Sequence, residues 1–140
     1  MEKPLELSRY CVPFTPFKRT LADALVCLVS TAGVRAKSDT PFDKEGDNSF
    51  RRTDGSLSAT ELAVDDSHYD HACIDEDVNC VFPVDRLRAL AREGRIGGVS
   101  AEHFSMGFSQ ALRELRETTV PQLARAVSGA RPDAVLLTGG

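Results

Sequence analysis

The stretch Asp133-Ala134-Val135-Leu136-Leu137-Thr138-Gly139-Gly140 constrains the fold more than any other. Its consecutive apolar residues leave no polar face, so a strand here is covered on both sides, as strands of parallel sheets are. Thr-Gly-Gly then reads as a loop at the C-terminal edge of an open α/β sheet, where ligands bind and a helix normally begins. Residues 24–30, Ala-Leu-Val-Cys-Leu-Val-Ser, repeat the pattern and read as a central parallel strand with Cys27 as inert core. Ser30, Thr31, Ala32 and Gly33 follow it. Such small residues let backbone N–H groups approach a ligand or an anion, although a plain turn is the simpler reading.

Between these strands the pattern alternates. Residues 35–58 are polar and turn-rich and are expected to form a long excursion loop, with Ser49-Phe50-Arg51-Arg52 returning along a sheet edge. Residues 59–66 suggest a short strand. Leu87, Leu90 and Ala91 share a helical face that Gly94 closes. Ser100 is an N-cap for a turn through His103. Leu112, Leu115, Leu123, Ala126 and Val127 mark a helix over 109–128 that Pro121 kinks or restarts. Pro4, Pro13 and Pro16 exclude a continuous helix at the other end. Residues 1–20 therefore read as an extended arm whose Phe14 and Phe17 pack on the body, with Cys11 as a small buried hydrophobe. The whole predicts one α/β domain over 1–140, a layered fold with a mostly parallel sheet. With parallel strands, the loops Ser30–Gly33, His68–His71 and Thr138–Gly140 meet at one sheet edge.

Composition excludes more than it identifies. A net charge of −4, a pI near 5.4 and no basic stripe argue against nucleic acid as a partner. No stretch reaches the roughly 20 apolar residues that span a bilayer. The N-terminus lacks a signal-peptide core, so a cytoplasmic location is expected. Cys11, Cys27, Cys73 and Cys80 form no CxxC pair. The acids at 43, 45 and 47 lack the glycine and final glutamate of an EF-hand loop.

Reactive side chains concentrate in Ser67-His68-Tyr69-Asp70-His71-Ala72-Cys73, with Asp66 beside them. Imidazole and carboxylate suit proton transfer near neutral pH, with Asp70 orienting His68 or His71. The same groups, with the Cys73 thiolate, suit zinc or another transition metal, His68 and His71 being the first ligands to consider. The residues leave both readings open. His103-Phe104-Ser105-Met106-Gly107-Phe108 either lines a pocket or plugs the sheet.

Several words of the sequence recur together in one family. They are Tyr10-Cys-Val-Pro-Phe-Thr-Pro16, Val29-Ser-Thr-Ala-Gly-Val34, Pro41-Phe-Asp-Lys-Glu-Gly-Asp47, His68-Tyr-Asp-His71, Val81-Phe-Pro-Val-Asp-Arg-Leu87, His103-Phe-Ser-Met-Gly107 and Asp133-Ala-Val-Leu-Leu-Thr138. In this order the chain resembles the selenoprotein B subunits of the glycine/sarcosine/betaine/D-proline reductase family, particularly the short D-proline-reductase-like members. The resemblance implies an oxidoreductase subunit. A selenocysteine, or a cysteine in its place, attacks an activated amino-acid or amine substrate, and a C–N bond is reductively cleaved. A partner subunit bearing a pyruvoyl group is implied as the activator of the amine.

The resemblance puts the nucleophile directly after the Val-Leu-Leu-Thr strand. That is position 141, beyond the 140 residues of this sequence. The expectation is a UGA codon there, read as a stop. The chain alone is then truncated before its redox loop and inactive in the redox step. Ser30, Thr31, Gly33, His103, Thr138, Gly139 and Gly140 are the expected substrate-facing residues, with His68, Asp70 and His71 as acid–base groups. The alternative is a non-catalytic or metal-binding module built on His68-Tyr69-Asp70-His71.

Overall fold

A computed structural model describes residues 15–66 and 68–139. The arm expected over residues 1–14, Cys11 within it, and Gly140 lie outside the described residues. Residues 15–20 carry no helix or strand, in keeping with the proline spacing. Phe17 is exposed rather than packed on the body.

The fold is mixed α/β around a mostly parallel sheet. Its centre is β1 (Leu25–Ser30), buried along almost its whole length. On one side β1 pairs in parallel with β5 (Gly98–Val99) and then β6 (Glu102–Met106). On the other side it pairs in parallel with β7 (Ala134–Thr138), Val26 to Ala134 through Ser30 to Thr138. β3 (Phe50–Asp54) runs antiparallel on the outer edge of β6. A second, small antiparallel sheet joins β2 (Val34–Ala36) to β4 (Leu62–Val64).

Helices cover both faces of the central strand. Val26 and Leu28 point to a cluster with Phe82, Val84 and Leu87, the last two from α2 (Val84–Arg92). Cys27 and Val29 point the opposite way, as the period of a strand requires, and pack with Phe104, Leu123 and Ala126. The last two of these belong to α4 (Val120–Gly129). The chain from β1 to β5 thus passes over one face, and the chain from β6 to β7 over the other. Loops leaving β1 and β6 at their C-terminal ends diverge, and a crevice opens between them. This is where open α/β sheets bind ligands.

Several local readings need correction. The strand over 134–138, expected to be covered on both sides, is exposed at Val135, Leu136 and Leu137, because no further strand or helix among the described residues lies over it. The edge return expected at Ser49–Arg52 is present as β3, but the loop within 35–58 is shorter than expected, because β2 takes Arg35 and Ala36 and β3 runs on to Asp54. Both are short, and their pairing partners rather than their own polarity decide them. Ser100 caps no helical turn; residues 98–106 run as β5 and β6 with a bulge between. After the histidine loop the chain forms α1 (Ala72–Glu76) and a 3-10 turn at Val78–Cys80. The long C-terminal helix begins as α3 (Leu112–Glu114) and passes through a π turn at Leu115–Thr119 before α4. Pro121, which has no N–H to donate one turn back, is the second residue after that π turn.

Candidate functional site

The three loops expected at one edge do meet there. The Thr31 N–H donates to the Thr138 carbonyl at 3.1 Å, joining the ends of β1 and β7. The Tyr69 hydroxyl donates to the Ala32 carbonyl at 2.9 Å, tying the histidine loop to the same turn. Gly33 makes this approach possible. Its φ is +67°, and a Cβ there would lie 3.1 Å from the Asp66 nitrogen.

A cleft of about 310 Å³ opens at this edge, lined by Thr31, Asp66, His68, Tyr69, Met106, Gly107, Phe108, Ser109 and Leu115. Three larger clefts, about 460 Å³ between β4 and α1, about 570 Å³ beside α4 and about 570 Å³ along α2, carry no imidazole or thiol in their linings among the described residues. Chemistry rather than size therefore selects the smaller one.

Asp66 and His68 form its reactive pair. Asp66 Oδ1 accepts the His68 backbone N–H at 2.9 Å and lies 2.9 Å from His68 Nδ1. One buried oxygen thus fixes both the backbone and the ring. The Asp66 side chain is 6% exposed and the His68 side chain 41% exposed. A carboxylate at Nδ1 holds the proton there and leaves Nε2 as the nitrogen that exchanges protons with a bound molecule. The Phe108 ring lies flat against the imidazole, with centroids 3.4 Å apart at 17°.

Neighbouring groups hold this arrangement. Arg35 grips Asp65 through Nε at 2.5 Å and Nη2 at 3.2 Å. Burial works to raise the Asp65 carboxyl, but the Arg35 bonds and the Phe42 N–H hold it below the usual carboxylate range. Tyr69 is pushed up to about 12 by burial and by the Asp66 charge, so it acts as a neutral donor. The loop over 40–48 pins the Phe108 wall. The Asp47 N–H donates to the Phe108 carbonyl at 2.7 Å, and the Ser109 hydroxyl bonds Asn48. A Cβ on Gly107 would meet Phe42 at 2.7 Å, so the loop seats only against glycine.

The expected site residues divide. Thr31 and His68 line the cleft. Ser30 is fully buried: its hydroxyl faces the Val81 carbonyl and accepts from Ala32. The N–H groups of Thr31, Ala32 and Gly33 all donate within the protein, so this turn offers no cradle for an anion. Thr138 reaches the same edge, with its hydroxyl oxygen buried and unpartnered among the described residues. A Cβ on Gly139 would lie 3.6 Å from Thr31 Oγ1, so the chain leaving β7 passes the cleft mouth.

Asp70 does not orient a histidine; it is exposed and accepts the Ala72 N–H at 3.0 Å. His71 stacks on Tyr69 at 4.8 Å and lies outside the cleft lining. No group of three or more His, Cys, Asp or Glu among the described residues is arranged to hold a metal, so His68, His71 and Cys73 are not gathered into a centre. His103 stands apart from the cleft. It is fully buried in β6, where its Nδ1 accepts the Leu28 N–H at 3.1 Å. Asp66 is the partner that the sequence reading passed over for Asp70. Its position two residues before His68 was the available signal, because an Asx turn of that spacing brings the two side chains together. The stretch His103–Phe108 divides between its two expected roles, since Met106, Gly107 and Phe108 line the cleft while His103 and Phe104 plug the sheet; Ser109 and Leu115 gave no such signal.

Comparison with known proteins decides the family. Residues 9–140 match the profile of glycine/sarcosine/betaine reductase selenoprotein B. The chain belongs to that family. Among relatives of this selenoprotein B family, D-proline reductase subunit gamma of Acetoanaerobium sticklandii is 38% identical over 128 residues. That alignment covers 91% of this chain and 53% of the relative, so the chain spans about half the relative's length. No solved structure matches the chain. No helix among the described residues is long and apolar enough to cross a membrane.

Proposed function

We propose that this chain supplies the proton-handling half of a reductase subunit that cleaves a C–N bond in an amino acid or an amino-acid-derived amine. The observation that carries the reading is the Asp66–His68 pair in the cleft between β1 and β6, in a chain of the selenoprotein B family. Net cleavage of one C–N bond consumes two electrons and two protons, one proton going to nitrogen and one to carbon. A selenocysteine or cysteine following β7 would bond to carbon as the C–N bond breaks; one reductant thiol then takes the selenium or sulfur as carbon leaves with a proton, and a second restores the nucleophile, the two thiols ending as a disulfide. The path of Gly139 beside Thr31, a cleft-lining residue, fits delivery of such a side chain. A pyruvoyl group on a partner subunit would activate the departing amine.

The chain's own residues act on protons and position. The departing nitrogen keeps the bonding pair and takes a proton from His68 Nε2, while Asp66 stabilises the imidazolium beforehand and holds the ring afterwards. Phe108 shields one face of the imidazole from water, and Thr31 presents a hydroxyl beside the approach from β7. The reading carries a cytoplasmic location, in line with Cys27, Cys73 and Cys80 standing as free thiols.

The test is His68→Gln in the assembled reductase, with Asp70→Asn as control. The expected loss in kcat for His68→Gln is about 10²- to 10³-fold, with Asp70→Asn within about 2-fold of the parent. Equal activity of His68→Gln and parent defeats the assignment.

A further inference from the structure

β7 is built like an interior strand and placed like an edge. It pairs with β1 along Ala134–Thr138, and no other strand among the described residues pairs with it. Val135 is 42% exposed and Leu137 73% exposed on the face shared with α4. Leu136 is 40% exposed on the opposite face. Parallel strands are ordinarily covered on both faces, and a flat apolar edge invites pairing with another strand. β3, the opposite edge of the same sheet, shows the contrast. It is antiparallel, carries Arg51, Arg52 and Asp54, and needs no cover.

Among the described residues, the cleft lining holds neither a lysine or arginine to meet a substrate carboxylate nor a thiol to attack carbon. The relative that shares 38% identity has nearly as much chain again outside the matched part. β7 runs parallel to β1 and ends at the cleft, so material added along β7 arrives beside the site.

We propose that the open edge and both faces of β7 seat the remainder of the family chain, which adds a parallel strand beside β7 and completes the cleft wall. The identity of this occupant rests on the reductase reading; the exposed strand does not.

The experiment co-produces this chain with the unmatched portion of the Acetoanaerobium sticklandii subunit, and reads complex size and backbone hydrogen exchange. The expected result is a one-to-one complex in which the amides of residues 135–137 exchange at least ~10-fold more slowly than in the chain alone. Val135→Lys with Leu137→Lys is expected to weaken the complex at least ~10-fold while β1 and α4 keep their protection. No complex, a complex indifferent to those substitutions, or a β7-dependent dimer of this chain that excludes the other polypeptide overturns the proposal. His68→Gln leaves the complex intact, so failure of the catalytic reading and failure of this one are separable.

Discussion

Two histidines in this chain have opposite surroundings. His68 sits in a turn at the C-terminal edge of the sheet, partly open to solvent, with a buried carboxylate on Nδ1 and a phenyl ring on its face. His103 sits inside β6 with none of its surface exposed, its Nδ1 taken by a backbone N–H. There it serves the sheet. Two strand segments, β5 and β6, meet β1 on one side, and the bulge between them leaves the Leu28 N–H without a carbonyl partner. The imidazole of His103 takes that carbonyl's place. Burial, reinforced by the Arg88 charge, holds it down to about 4, so it is neutral at pH 7. The lesson is that a histidine's role follows from what occupies its Nδ1. A carboxylate frees Nε2 for chemistry, whereas a backbone N–H makes the ring a piece of the ladder.

The largest expected effect in the sheet interior comes from His103→Ala. It leaves the Leu28 N–H unpaired and opens a cavity beside Phe82, and should cost about 3 kcal/mol in denaturant unfolding. His68→Gln should change stability by less than about 1 kcal/mol. If the two variants lose stability equally, the contrast between the regions is wrong.

A second effect of similar size is a pH dependence. The folded His103 titrates below its ordinary value of 6.5, so between about 6.5 and 4 the unfolded chain binds the proton and the folded one does not. Stability from this group is fully present above pH 6.5 and is lost as pH falls toward 4, on the order of 3 kcal/mol in all. His103→Gln should flatten that part of the stability profile, as chemical denaturation at stepped pH would show.

The third comparison sharpens the cleft itself. Asp66→Asn keeps the shape of the turn but removes the charge that fixes the His68 proton. It should lower kcat about 10-fold, with KM nearly unchanged, because orientation rather than binding is lost.

The sequence pattern announced the elements themselves. β1 and β7 are apolar runs, and α2 and the 112–129 helix carry their periodicity openly, but only β1 is covered as its pattern implies; β7 keeps Val135, Leu136 and Leu137 exposed. The parallel order of the sheet then brought the Ser30, His68 and Thr138 loops to one edge, as alternation of strands and helices implies. What stayed illegible depends on distant partners. The edge return at Phe50–Arg52 was legible, but its extension through Thr53 and Asp54 depends on the edge that β6 offers. β6 reads Glu-His-Phe-Ser-Met, without alternation, because both of its faces are buried. The choice between Asp66 and Asp70 lay in a turn packed against Gly33 and anchored by Arg35 on Asp65, both Gly33 and Arg35 lying over 30 residues upstream of Asp66. The Phe108 wall depends on the loop over 40–48, whose turn chemistry gives no hint of what it pins.

The most direct measurement of the central claim is the tautomeric state of the two rings, read from long-range ¹H–¹⁵N correlations at alkaline pH. His68 should carry its proton on Nδ1 and His103 on Nε2, and Asp66→Asn should disturb the first and spare the second. His68 protonated on Nε2 in the parent protein, with no response to Asp66→Asn, would contradict the account.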